Sequence, residues 1–509
     1  MIEALQERAA SEPGRVFCRF EGESLTYGDF VRRVGRCAAG LSAHGVRPGD
    51  RVAVMLRNHL DHVVTVYALA WGGAVHVPVS THLKRAGLAT QLADVRAAAI
   101  VAEAEFATEI TAALQECGQA PRLFWHGLAD SPDAHLGGGV PLAAALDSPA
   151  PPGPPVPHDL DREVMISYTS GTTGPPKGAV LNERFLQLGA ASAAELAEVG
   201  RDDVLFLWEP FYHIAGWTTL YMAVNCGARV AMVERFSASR CWDQIRAAGA
   251  TKLHYLGGVL NILLAQPPRA DDRDNPVTIV WGAAAPRDRW REFEHRFGVQ
   301  LREGYGLSEA ANFALLNTDG PPGSIGRPIP QFDAWIADPS GRGPAAPDQV
   351  GEIILRPKQP GLTMVRFFGD EERTSQTLLH GIVRTGDLGY VDGDGYFYFA
   401  GRATDSLRRR GENVSAWEIE RVANECPGVV DSAAIAVPSP VGEDDIKLVV
   451  HTSDPAAPAA ADVYEWCKER LAYYQVPRYV EIVPGLPYGP TQRVQKKRLS
   501  RSVDGVFDA

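Results

Sequence analysis

The chain is poor in cysteine, has no long apolar run and carries no excess of basic charge, and each shortage narrows what it can be. Seven cysteines are scattered over 509 residues, with no C-x-x-C pair and no cysteine–histidine cluster at zinc spacing. A disulfide framework and a zinc ribbon are therefore not expected, and a reducing cytoplasm fits. No apolar stretch approaches the roughly 20 residues of a membrane-spanning helix. Met1 to Arg8 reads as the start of an amphipathic helix rather than a signal peptide. The net charge is -12, and lysine and arginine are dispersed, which argues against a nucleic-acid partner. A Walker A loop is missing too, because no Gly-Lys-Ser/Thr follows the glycine-rich segment. With 45% hydrophobic and 22% charged residues, the composition is that of a globular protein of two to four domains.

What is present is a ten-residue cluster, Thr169-Ser170-Gly171-Thr172-Thr173-Gly174-Pro175-Pro176-Lys177-Gly178. Glycines let backbone N–H groups approach an anion, the hydroxyls add donors, and Lys177 adds a positive charge. This is the chemistry of a polyphosphate-holding loop. Val164 to Tyr168 before it reads as a strand, and Gly178 to Leu181 after it is apolar. The loop thus sits at a strand end, where open α/β sheets bind nucleotides.

Residues 1–127 alternate strand and helix patterns. Arg51 to Leu56 and Ala74 to Val79 read as strands, and His62 to Trp71 between them as a helix stopped by Gly72-Gly73. Residues 128–160 are rich in glycine and proline and read as a connection. Strands are expected again at Val204 to Trp208, Arg229 to Val233, Lys252 to Leu256 and Thr278 to Trp281. This βαβ rhythm predicts mainly parallel sheets. From 331 to 401 short strands alternate with Asp/Gly turns, which predicts a β-rich subdomain. The final stretch has its own helices (Trp417 to Asn424, Val463 to Tyr474) and strands.

Further motifs follow in order. They are Leu25-Thr26-Tyr27, Gly45 to Val52, Pro210-Phe211-Tyr212-His213-Ile214-Ala215-Gly216, Gly282-Ala283-Ala284-Ala285-Pro286, Gly304-Tyr305-Gly306-Leu307-Ser308-Glu309, Arg384-Thr385-Gly386-Asp387, and Gly401-Arg402 leading to Arg410-Gly411-Glu412. Together they resemble the adenylate-forming superfamily of acyl-CoA synthetases, peptide-synthetase adenylation domains and luciferases, over nearly the whole chain. The resemblance implies an α/β fold. A large N-terminal domain, 1–401, would hold stacked mainly parallel sheets and a β-rich subdomain. A small mobile α+β C-terminal domain, 402–509, would close on it.

It also implies an enzyme that makes a CoA thioester through an acyl-adenylate, using ATP or acyl-AMP, Mg²⁺ and coenzyme A. Thr169, Ser170, Gly171, Thr172, Thr173 and Lys177 would hold phosphates. Gly282, Ala283, Ala284, Gly304, Tyr305 and Gly306 would surround the base, and Ser308 would touch the α-phosphate. Glu309 would bind Mg²⁺, Asp387 the ribose hydroxyls, and Arg402 would stand at the hinge. Tyr212, His213, Trp217, Gly257 and Gly258 would line the acyl pocket. Gly411 would let pantetheine pass, beside Arg408, Arg409 and Arg410 for the CoA phosphates.

Two positions depart from the family's pattern. The C-terminal motif usually carries Gly-Lys, the lysine bridging carboxylate and α-phosphate during adenylation. Here Gln492 and Arg493 stand in those places, and a planar guanidinium does not replace a compact ammonium. Lys496 and Lys497 lie out of register. At the hinge, Thr404 occupies a place usually held by Asp or Lys. The losses fall on adenylation, while the thiolation loop is intact. The implied enzyme is strong in thioesterification and weak in adenylation, fed with adenylate by a separate enzyme. That division of labour is similar to the diterpenoid acyl-CoA ligases of platensimycin-type antibiotic pathways. The alternatives are a complete ATP-dependent synthetase and a catalytically silent nucleotide-binding relative. The acid is expected to be bulky and without an α-amino group, since no aspartate occurs from Pro210 to Trp217 and Gly257, Gly258 and Ala283 to Ala285 are small. Oligomeric state is left open, a homodimer included.

Overall fold

The computed structural model describes residues 1–83, 85–127, 138–169, 177–256, 258–338, 343–402, 406–409, 412–438, 444–452, 458–471, 475–489 and 494–509. Among them, two large sheets are built from the first 370 or so residues. One runs in the order Arg327–Pro328, Ala310–Asn317, Gln300–Leu307, Ile279–Ala283, Lys252–Leu256, Val204–Leu207, Arg229–Met232, Val16–Phe20, Glu23–Thr26. Its run from Gln300–Leu307 to Val16–Phe20 is parallel. The other runs Arg366–Phe367, Lys177–Asn182, Glu163–Thr169, Val75–Pro78, Arg51–Met55, Ala99–Glu103, Arg122–His126, Val140–Pro141. It is parallel from Glu163–Thr169 to Val140–Pro141.

The strands are apolar on both faces, so each sheet must be covered on both sides. The alternation of side chains shows how. Val52 and Val54 join the large central core, whereas Ala53 and Met55 join a second core under the helices Arg85–Val95 and Ala107–Cys117. Leu205 and Leu207 face the same central core, while Val204 and Phe206 face a third, under Cys241–Ala248, Gly258–Leu264 and Trp290–Phe297. The central layer holds helices Leu60–Gly72 and Ile214–Cys226, which are buried nearly all round, as a helix between two sheets must be. Leu60–Gly72 ends at Gly73, whose φ of 74° is the left-handed cap that glycine adopts without strain.

A third, antiparallel sheet comprises Phe332–Ala337, Gly351–Pro357, Leu378–Leu379, Ile382–Val391 and Phe397–Arg402, in the region where short strands are expected. The last part of the chain carries its own four-stranded sheet, Val429–Pro438, Asp444–Thr452, Tyr479–Val483 and Phe507–Asp508, with helices Ala416–Asn424 and Ala460–Arg470. Ile419, Val422, Ile446, Leu448 and Val480 form a core there separate from the central one. Element types follow the sequence reading. Boundaries move by a residue or two, and Ile279–Ala283 runs past Trp281 to Ala283. The second helix begins at Ala460 and ends at Arg470; residues 472–474 of the expected helix lie outside the described residues.

Candidate functional site

The carboxyl ends of the parallel strands in the larger sheet gather one group of motif residues. Lys252–Leu256, Ile279–Ala283 and Gln300–Leu307 lie side by side, with Leu256 opposite Ala283 and Gly282 opposite Glu303. Close approach requires a glycine at 282, because a Cβ there would stand 1.9 Å from the Tyr255 carbonyl oxygen. The chain then turns through Ala284, which adopts φ 66°. That is an unfavourable region for alanine and must be held in place. Glu303 holds it: its Oε1 accepts from Ala284 N at 2.8 Å and Ala285 N at 3.3 Å. Glu303 is buried, and burial pushes its carboxyl up to about 8 against the two N–H bonds that lower it.

Tyr305 follows two residues on, buried, and its hydroxyl donates to Asp387 Oδ2 at 2.8 Å. Asp387 arrives from the third sheet, 82 residues away in sequence. It is shaped by Thr385, whose hydroxyl accepts from Asp387 N at 3.0 Å and donates to the Ile353 carbonyl at 2.7 Å. Across the strand pair, Asp387 stands opposite Arg402. Ser308 and Glu309, both half-buried, make the turn between Gln300–Leu307 and Ala310–Asn317, with Glu309's carbonyl accepting from Met364 N at 3.1 Å. Gly304 and Gly306 are forced by contact. A Cβ at 304 would meet the Phe313 ring at 2.4 Å, and one at 306 the Asn312 carbonyl at 1.9 Å.

In the other large sheet, the phosphate-loop candidate connects two antiparallel strands, with Thr169 opposite Lys177. The segment therefore joins strand to antiparallel strand, not strand to helix as in a Walker site. Ser170, Gly171, Thr172 and Thr173 lie outside the described residues. The stem is braced by Arg366–Phe367, which pairs with Lys177–Asn182. The Lys177 ammonium stands 3.4 Å from Asp370 Oδ2, the carboxylate that caps helix Glu371–Thr377.

The acyl-pocket segment leads into helix Ile214–Cys226, with His213 at its N-cap. The His213 ring lies 4.6 Å from that of Tyr212, and its Nε2 is buried without a hydrogen-bond partner. Burial, then the nearby His82, pushes His213 down to about 4, so its imidazole is neutral at pH 7. Trp217 is buried, and its indole N–H donates to the Phe211 carbonyl at 2.8 Å. Gly258 opens helix Gly258–Leu264; Gly257 lies outside the described residues. Arg408 and Arg409 belong to strand Ser406–Arg409, paired with Glu412–Ser415. Arg410 and Gly411 between them, Thr404, Gln492 and Arg493 lie outside the described residues. Lys496 is engaged elsewhere, its Nζ 2.7 Å from Glu420 Oε1.

Sequence reasoning missed Glu303, Asp370 and a buried pair in which Glu209 Oε1 meets His254 Nδ1 beneath Trp281. Asp370 carries a local signal as an N-cap before Glu371-Glu372; Glu303 and the Glu209–His254 pair have none, since they act through register or tertiary contact. It also missed an ionic cluster of His59, Asp61, Glu103 and His126 at the carboxyl edge of the other sheet. Asp61 and Glu103 push His126 up to about 9. His59 Nδ1 accepts from His62 N at 3.0 Å, which leaves its proton on Nε2, facing Glu103. That tautomer suits an ion network rather than a metal ligand.

Comparison with known proteins follows this geometry. Residues 5–364 match the AMP-binding enzyme family, and residues 418–492 match its C-terminal domain. The chain is 32% identical over 500 residues to a sulfoacetate–CoA ligase of Cupriavidus necator, covering 97% of this chain and 96% of the relative. It is 32% identical over 502 residues to a feruloyl-CoA synthase of an Amycolatopsis species, covering 97% of each. Among solved structures it superposes on ATP-bound MatB from Rhodopseudomonas palustris with a TM-score of 0.86, at 26% identity and 97% coverage of each chain. No helix among the described residues is long and apolar enough to cross a membrane.

Proposed function

As the chain belongs to the AMP-binding enzyme family, we propose that it is an acyl-CoA ligase. It joins a carboxylic acid to ATP as an acyl-adenylate, releasing pyrophosphate, and a CoA thiol then displaces AMP. The observation that carries this reading is the Tyr305–Asp387 contact beside the braced turn at Ala284. Base and ribose of an adenylate need an aromatic face next to a fixed carboxylate, and these residues supply both. Thr169 to Thr173 and Lys177 take the phosphates. The Lys177–Asp370 pair is partly exposed, and such pairs contribute little. Ser308 meets the α-phosphate. The half-buried Glu309 carboxylate is a hard oxygen ligand of the kind Mg²⁺ accepts. The ion, when bound, offsets charge on the α-phosphate. Arg402 opens a mobile 402–509 domain, a reading supported by its separate core. Gly411 and Arg408 to Arg410 serve CoA.

Thioesterification is the stronger half-reaction. Arg493 replaces the lysine that adenylation uses. Lys496 is a poor substitute, because removing it from Glu420 takes the cation from a half-buried carboxylate that otherwise accepts from the Ala434 N–H at 2.7 Å. The preferred acid is bulky, and its adenylate is supplied by a separate enzyme in the cytoplasm. The test is CoA thioester formation from free acid plus ATP and, in parallel, from synthetic acyl-adenylate. Product from adenylate alone supports the specialised ligase. Equal product from both identifies a complete synthetase, and none from either a silent nucleotide-binding relative.

A further inference from the structure

At the segment Pro210 to Trp217 stand two buried imidazoles and one half-buried one whose hydrogen bonds are not all made among the described residues. His76 is 3% exposed, and neither ring nitrogen has a hydrogen-bond partner among the described residues. His62 is 2% exposed. Its Nδ1 lies 2.9 Å from the Arg57 carbonyl, which can only accept, so the proton of the neutral ring sits on Nδ1. His62 Nε2 is then a bare acceptor, and it too has no partner. His213 Nε2 is the third such group. Buried polar atoms without partners are uncommon, since each gives up its hydration with nothing in return.

Their placement is shared. Val75 and Val77 face the core on the outer side of their sheet, so His76 between them faces inward, where its ring lies 4.6 Å from that of Trp217. The His62 ring meets Phe211 edge-on at 4.8 Å. His213, at the N-cap of helix Ile214–Cys226, has extended backbone and packs its ring against that of Tyr212. His62 and His76 therefore flank the Phe211–Trp217 pair, and His213 stands in the same segment, four residues before Trp217. The indole N–H contributes no donor to them, being spent on the Phe211 carbonyl. Burial lowers His62 to about 3 and holds His76 well below the usual histidine range, so with His213 all three rings are neutral at pH 7. Neutral imidazoles offer a second carboxylate or sulfonate no formal positive charge.

We propose that these imidazoles form the far end of the acyl site and receive an uncharged donor–acceptor group, a hydroxyl, on the acid. The substrate class is then a hydroxylated carboxylic acid, rather than a plain hydrocarbon acid or a diacid. This rests on the acyl-CoA ligase reading above. A hydroxyl donates to one bare imidazole nitrogen and accepts from the His76 N–H, whereas a hydrocarbon leaves both unmatched. Sites built to bond a hydroxyl reject the analogue that lacks it.

The experiment uses synthetic acyl-adenylates of matched acids with the full chain and CoA. The acids are 3-phenylpropanoate, its 4-hydroxy and 4-carboxy derivatives, and a cholanate with and without a ring hydroxyl. In at least one skeleton kcat/KM should favour the hydroxylated acid tenfold or more. His76→Phe should reduce that preference towards unity, mainly through a raised KM for the hydroxylated acid. If that variant does not fold, His62→Gln and the wild-type preference decide. A wild-type ratio near one in both skeletons, a preference for the diacid, or a preference that survives both variants would overturn the proposal. Thioester from no acid at all would overturn the ligase reading instead. Calorimetric binding of hydroxylated and plain adenylate analogues then tests the hydroxyl site by itself, equal affinities overturning it.

Discussion

Removing the Asp387 carboxylate should weaken binding of an acyl-adenylate without unfolding the protein. Asp387 is 5% exposed and is held from two directions, by the Tyr305 hydroxyl at 2.8 Å and, through its backbone N–H, by Thr385 at 3.0 Å. Asp387→Ala keeps the Thr385 bond and loses the carboxylate. Hydrogen bonds to a charged group contribute about 1.5–3 kcal/mol each. With one such bond lost to a ribose hydroxyl, the dissociation constant should rise roughly 10- to 150-fold. Tyr305→Phe separates the parts. It deletes the bond that positions Asp387 but leaves the aromatic face, so its loss should be smaller. The assay is isothermal titration of a non-hydrolysable acyl-adenylate analogue, with melting temperatures checked in parallel. Unchanged affinity in a folded Asp387→Ala variant would refute the assignment of Asp387 to the ribose.

Glu303 should give the stability a pH dependence. Its folded pKa of about 8 lies above the ordinary 4.5, so between those values the folded state binds the extra proton, and stability falls as pH rises through that window. Glu303→Gln, which keeps an acceptor for Ala284 and Ala285 N–H, should flatten the fall in urea midpoints between pH 5 and pH 9; an unaltered slope would count against it. Gly282→Ala should cost about 1–3 kcal/mol by overpacking, because the new methyl meets the Tyr255 carbonyl at 1.9 Å, whereas Gly393→Ala, with nothing within 4 Å, should be near neutral; calorimetric melting compares the two. Bulky acids without an α-amino group should outperform acetate and free amino acids in CoA capture of their adenylates, and fastest turnover with acetate would contradict the wide pocket.

Strands of the parallel sheets were legible because they are apolar on both faces and end at turn residues; Lys252–Leu256 is found with its expected bounds. The helix Leu60–Gly72 was legible only in part. It is buried nearly all round, so periodicity marks its middle but not its start. Motif residues were legible as chemistry, not as geometry. Nothing near Tyr305 in sequence points to Asp387, and the contact exists because a strand of the third sheet reaches the edge of the first. Glu303 acts through its register with Gly282, and His76 through the face its strand turns inward. Both are properties of the assembled sheets.

The central claim, that thioesterification outruns adenylation, is tested most directly by single-turnover rates of the two half-reactions in wild type and Arg493→Lys. A lost transition-state contact of about 3 kcal/mol corresponds to roughly a hundredfold in rate. Pyrophosphate release from ATP and free acid should therefore be far slower than CoA capture of the preformed adenylate, and Arg493→Lys should raise the first rate more than the second. Comparable wild-type rates, with fast pyrophosphate release, would contradict the account and identify a complete synthetase that does without the lysine.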